Sequence, residues 1–127
     1  MVSTSLFVRI SASDWTEGGW DLDQSVVLAG RLKQLGVDLI DVSSGGMIPK
    51  ARIPVARGYQ VPLARAVKAA TKMPVIAVGL ITEFEQAEAI LSTGDADMVA
   101  LARAILYNPR WPVHTYSRPL PPARPDR

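Results

Sequence analysis

The feature that most constrains this chain is an alternation, repeated four times, of a short aliphatic run with a longer amphipathic segment. The runs are Leu6-Phe7-Val8-Arg9-Ile10-Ser11, Val37-Asp38-Leu39-Ile40-Asp41-Val42-Ser43, Val75-Ile76-Ala77-Val78 and Met98-Val99-Ala100-Leu101. They are short and partly β-branched, as strands buried in a parallel sheet are. Parallel neighbours need a helical crossover, which is right-handed. The pattern therefore predicts an α/β chain of four parallel βα units.

The intervening segments carry helix punctuation. Asp21 is placed to cap a helix with Leu22, Val26, Ala29 and Leu32 on one face, and Gly36 to end it. Pro62 suits the first turn of a second helix carrying Leu63, Ala66, Val67 and Ala70. Thr82 and Glu85 have the spacing of a capping box for a third, closed by Gly94. A short fourth helix is expected after Asn108, whose side chain would cap it ahead of Pro109. Residues 1–116 read as one domain. Residues 117–127, with Pro119, Pro121, Pro122 and Pro125, read as an extended tail.

Four such units suit either a small open sheet or half of a (β/α)₈ barrel, since a whole barrel takes about 250 residues and this chain has 127. With 48% hydrophobic residues the chain can build a core. It has no cysteine, which excludes disulfides, thiolate catalysis and cysteine-based zinc sites. No metal site is expected. A formal net charge of +2 with scattered basic residues argues against a nucleic-acid partner. No targeting pattern opens the sequence and no apolar run is long enough to span a bilayer, so a cytoplasmic protein is expected.

Chemistry is expected at the strand ends. Gly79 follows the third run and allows close approach of a ligand to the backbone, and the free N–H groups of a following helix attract phosphate. Leu101-Ala102-Arg103 closes the fourth run, where a guanidinium can clamp a phosphate. A turn glycine and a surface arginine would explain the same residues. Arg9, inside an apolar run, either faces an anionic or electron-rich ligand or pairs with Asp41 on the next strand. Ser43-Ser44-Gly45-Gly46 suits a ligand-lined rim and equally an ordinary loop. His114, the only histidine, lies far from any strand end, and no catalytic role is expected for it. Trp15, Trp20 and Trp111 read as packing or surface anchors.

Several of these segments resemble the old yellow enzyme family, in its xenobiotic reductase (YqjM-like) branch. They are Val8-Arg9-Ile10-Ser11-Ala12-Ser13-Asp14-Trp15, Gly36-Val37-Asp38-Leu39-Ile40-Asp41-Val42-Ser43-Ser44-Gly45-Gly46, Gly58-Tyr59-Gln60-Val61, Val78-Gly79-Leu80-Ile81-Thr82 and Leu101-Ala102-Arg103-Ala104. The resemblance runs from about Leu6 to Trp111 and implies the second half of a TIM barrel, strands five to eight. It implies FMN as cofactor, with Arg9 at the N1/O2 edge of the flavin ring and Ser43 beside the ring. It assigns the FMN phosphate to Gly79, Ala102 and Arg103. NADPH is the implied reductant and a small activated alkene the implied substrate. The family usually has Gly-Arg where this chain has Ala102-Arg103. Its tyrosine proton donor and histidine pair match nothing here, so no catalytic residue is expected within the chain. Its C-terminal arginine, which reaches a neighbouring subunit, has no counterpart in the Pro-rich tail.

The expected function is thus that of the FMN-binding portion of an NADPH-dependent ene reductase, inactive by itself. The alternatives are a non-catalytic half-barrel that binds phosphate ligands or self-associates, and a non-functional remnant. A half-barrel exposes one sheet face and two strand edges. Leu39, Ile76, Val78, Val99 and Leu101 are candidates for that face, so a homo-oligomer, or union with a complementing N-terminal half, is expected.

Overall fold

Asp21 accepts a hydrogen bond from the backbone N–H of Gln24 at 2.9 Å, and the Gln24 side chain accepts one from the N–H of Asp21 at 3.1 Å. This reciprocal pair is a capping box, satisfying two of the free donors at a helix start. It opens α1 (Leu22–Gln34), and Gly36, at φ +93°, takes the left-handed turn just beyond its end. In the computed structural model, which describes residues 3–116, the other long helices are α2 (Val61–Thr71), with Pro62 in its first turn, and α3 (Phe84–Ser92). The proposed tail at 117–127 lies outside the described residues.

Four strands, β1 (Phe7–Ser11), β2 (Leu39–Ser43), β3 (Val75–Val78) and β4 (Met98–Ala100), form one parallel sheet in the order β1-β2-β3-β4. A doubly wound sheet reverses its order at a switch point and carries helices on both faces. Here the order follows the sequence, and one core cluster joins all three long helices to the same sheet face. Ile10, Ile40, Val42, Val75 and Ala77 meet Ala29 of α1, Ala64 and Val67 of α2, and Ile90 of α3. That is the arrangement of a segment of a (β/α)₈ barrel.

The register separates the two faces. Val8 stands opposite Ile40 and Ile40 opposite Val75, while Ile10, Val42, Ala77 and Val99 form the next row on the helix side. The alternate rows, Arg9-Asp41-Ile76-Met98 and the Ser11-Ser43 and Val78-Ala100 pairs, occupy the other face, because successive side chains point to opposite sides. Of the five candidates for the open face, Leu39, Ile76 and Val78 lie there. Val99 and Leu101 pack against the helix-side core instead. The open face is also less apolar than expected, since its central row carries Arg9 and Asp41.

Two helical expectations are corrected. The box at Thr82 and Glu85 does not start α3: the N-cap position is Glu83, which makes no side-chain capping bond. Gln86 reaches back instead and accepts from the N–H of Thr82 at 3.1 Å. After β4 the described residues hold two short helices rather than one, α4 (Arg103–Tyr107) and α5 (Trp111–Tyr116). Asn108 lies between them, and its side chain accepts from the N–H of Arg110 at 3.2 Å. Leu106 and Tyr107 are exposed, so α4 lacks the apolar stripe that would have announced it.

Candidate functional site

The strands end at one rim, and a cavity of about 90 Å³ opens there between the loops after β3 and β4. Gly79, Leu80, Thr82, Ala102 and Arg103 are among its lining residues, and none of the lining residues is acidic. The structure thus brings together the three residues expected to hold a phosphate. No hydrogen bond engages the backbone N–H of Gly79, Ala102 or Arg103, and no ion pair engages the Arg103 guanidinium, among the described residues. Unpaired backbone donors beside a free guanidinium make a local positive field suited to an anion.

The loop's shape is unusual. Gly79 has φ +109° and Leu80 has φ +48°. A leucine in the left-handed region is strained, and such residues persist only where surrounding contacts hold them. Gln86 supplies one contact, its Nε2 donating to the carbonyl of Leu80 at 2.9 Å. Gln60 supplies the other, donating from Nε2 to the carbonyl of Val78 at 2.8 Å. Any side chain at Gly79 would run into Gln60, whose Cδ would lie 3.0 Å from an added Cβ.

Gln60 is 4% exposed and stands at the N-cap position of α2, yet makes no capping bond. Its Oε1 accepts from Ser44 Oγ. Ser44 Oγ in turn accepts from the indole N–H of Trp15 at 2.8 Å. A continuous hydrogen-bonded chain therefore runs along the rim through the loops after β1, β2 and β3. The sequence offers Ser44 as a possible rim residue, but Gln60 and Trp15 were not among the functional candidates. The available signal was a glutamine at an N-cap, where Ser, Thr, Asp or Asn is usual.

Arg9 and Ser43 are not among the residues lining this cavity. Both lie on the open face, in adjacent rows of β1 and β2. Arg9 pairs with Asp41: Nε lies 2.7 Å and Nη2 2.6 Å from the same oxygen, Oδ2. The Arg9 side chain is 64% exposed and that of Asp41 14%. Ser43 Oγ donates to the carbonyl of Ile10 at 2.9 Å, bracing the strand pair. His114 lines a separate cavity with Thr82, Glu83 and Trp111, and its Nδ1 lies 3.1 Å from Asn108 Nδ2. Trp111 closes the base of the loop by donating from its indole N–H to the carbonyl of Thr82 at 3.0 Å. Among the described residues no cluster of three or more His, Asp or Glu side chains is set to hold a metal ion, and no helix is long and apolar enough to cross a membrane.

Comparison with known proteins adds to this geometry. Residues 2–119 match the family model described as NADH:flavin oxidoreductase / NADH oxidase. A protein named NADPH dehydrogenase from Halalkalibacterium halodurans is 51% identical over 107 residues, 84% of this chain and 31% of that protein. One of the same name from a Geobacillus species is 53% identical over the same lengths of both chains. The chain thus spans about a third of the length of these relatives. Among solved structures, a 2-naphthoyl-CoA reductase in complex with 2-naphthoyl-CoA superposes with a TM-score of 0.72 at 23% identity, covering 85% of this chain and 17% of that one. At that identity the likeness speaks for the fold.

Proposed function

Since this chain belongs to the NADH:flavin oxidoreductase / NADH oxidase family, we propose that it is the FMN-binding portion of an NADPH-dependent flavin oxidoreductase of the ene-reductase kind. The observation that carries this reading is the cavity joining Gly79, Ala102 and Arg103, where free N–H groups and an unpaired guanidinium converge without a nearby carboxylate. These residues fit a phosphate. Arg103 would supply the charge, and the Gly79 and Ala102 N–H groups would fix its orientation.

FMN bound there would supply a ring that takes hydride from NADPH and delivers it to the β-carbon of an activated alkene. Arg9 is assigned to the N1/O2 edge of that ring, where a fixed cation favours the negative charge of the reduced form. Asp41 already holds Arg9 on the open face, so the guanidinium is oriented before the ligand arrives. Ser43, one row further along, is assigned beside the ring. No proton-transfer role is assigned to any residue of this chain, and reduction by the chain alone is expected to be negligible. Orientation of the reacting groups is worth up to about 7–11 kcal/mol, and half a site does not supply it.

The open face and the outer edges of β1 and β4 support a further part of the reading. Completion of the sheet, by a second copy or by a complementing N-terminal half, would cover that face and pair those edges. The lack of cysteine suits a cytoplasmic location. The decisive experiment is titration with FMN, followed by absorbance and flavin fluorescence after gel filtration. A yellow complex at one flavin per chain is expected. A chain that remains colourless at high FMN concentration would overturn the reading in favour of a self-associating half-barrel without redox chemistry.

A further inference from the structure

We propose that Gln60 is a positioning residue for this anion site, aiming the Gly79 N–H by gripping the other end of the same peptide group. The proposal rests on the reading of the cavity as the phosphate site. The carbonyl of Val78 and the N–H of Gly79 belong to one planar peptide, and no cis peptide occurs among the described residues. In a trans peptide these two groups point in opposite directions. Gln60 Nε2 holds the Val78 carbonyl at 2.8 Å, so the Gly79 N–H is turned away from Gln60. That N–H has no partner among the described residues.

The glycine itself takes on a different meaning. Position 79 lacks a Cβ because Gln60 fills that space and because φ is +109°. Gln60 is in turn locked through Oε1 by Ser44, and Ser44 by the Trp15 indole. The carboxamide cannot flip without placing its oxygen against the Val78 carbonyl, two acceptors with no donor between them. Buried amides left without partners are costly, so the whole chain of contacts selects one orientation. Trp15 and Ser44 lie in the loops after β1 and β2. The same chain therefore links those loops to the loop that receives the phosphate.

The test uses Gln60→Glu and Gln60→Ala in the full chain, with FMN as probe. Gln60→Ala removes the grip and is expected to weaken FMN binding about tenfold. In Gln60→Glu the carboxylate faces the Val78 carbonyl and offers no donor, whereas its protonated form restores an O–H donor. Affinity relative to the parent chain should fall tenfold or more at about pH 8 and recover to within about threefold at about pH 5. A role in packing alone would give no such pH profile, so a profile parallel to the parent's would overturn the proposal. If the parent takes up no FMN, the phosphate reading fails separately, and the grip is then read without ligand by amide NMR. Gln60→Ala and titration of Gln60→Glu should each move the Gly79 amide and Trp15 indole resonances together. Ser44→Ala, which leaves the Val78 contact in place, should move them less. Silence of the Gly79 amide in all three variants would overturn the proposal.

Discussion

Arg9 donates through Nε to Oδ2 of Asp41, with Nη2 2.6 Å from the same oxygen, and the second oxygen, Oδ1, is buried without a hydrogen-bond partner. The two residues stand opposite each other in the register of β1 and β2. An orphaned acceptor is expensive unless something completes it.

Removing the arginine should therefore hurt more than removing the pair. Arg9→Met leaves a largely buried carboxylate with no donor at either oxygen, and a loss of about 1–3 kcal/mol in unfolding free energy is expected. Combining it with Asp41→Leu should return most of that loss, because the carboxylate left without a donor is then removed as well. A urea-denaturation double-mutant cycle measures the difference. Additive losses would show that the pair is not coupled.

Arg103→Ala should weaken FMN binding by tens of fold, since a hydrogen bond to a charged group is worth about 1.5–3 kcal/mol. Stability should change little, because Arg103 is exposed and makes no ion pair among the described residues. Fluorescence titration of FMN alongside thermal unfolding separates the two effects. Parent-like affinity would misplace the phosphate.

Acid should unfold the helix side of the sheet through two aspartates. The hydrogen bond from Arg65 holds the Asp95 carboxyl below the usual range. For Asp97, burial pushes upward, but the Val75 N–H at 2.9 Å and the Lys68 ammonium outweigh it, so the net direction is also down. A carboxyl with a depressed folded pKa stabilises above its unfolded value, about 3.9, and that stability is lost as pH falls through the folded one. Unfolding free energy should be flat from neutral pH to about 5 and drop below about 4. Asp97→Asn should shrink the acid-sensitive part, as read by urea midpoints across pH.

Assembly should resist salt. The open face offers the exposed Phe7 and Met98 and the half-buried Ile76 and Val78, whose burial is driven by apolar area, and one ion pair that is internal to the sheet. Light scattering is expected to find a dimer or larger species with the same mass at low salt and at about 0.5 M, well beyond the range of surface-charge attraction. A monodisperse monomer that unfolds cooperatively would show that the face is covered within the chain.

The strands and long helices were legible because each is written locally. Short aliphatic runs, Asp21, Gly36 and Pro62 act on their own segment, and the structure places them as the pattern predicts. The start of α3 departs from the pattern because the Thr82 N–H, which a capping box would give to Glu85, donates to Gln86 instead. Whether Val99 and Leu101 face the helices depends on the β3–β4 register, which no residue in β4 announces. Gly79, Ala102 and Arg103 could be named because each follows a strand. Gln60 could not, because its partners lie 16 and 18 residues away and meet it only after the sheet has formed.

The pairing of Arg9 with Asp41 also indexes the edge strand. Among the described residues β1 has only β2 as a neighbour, so nothing on its other side corrects a mistake in alignment. A slip of one residue would turn Arg9 inward among Ile40, Val42 and Val67, and a slip of two would set it against Leu39 or Ser43 with no counter-charge. Only the observed alignment gives the guanidinium a counter-charge, so this edge strand carries its own alignment mark.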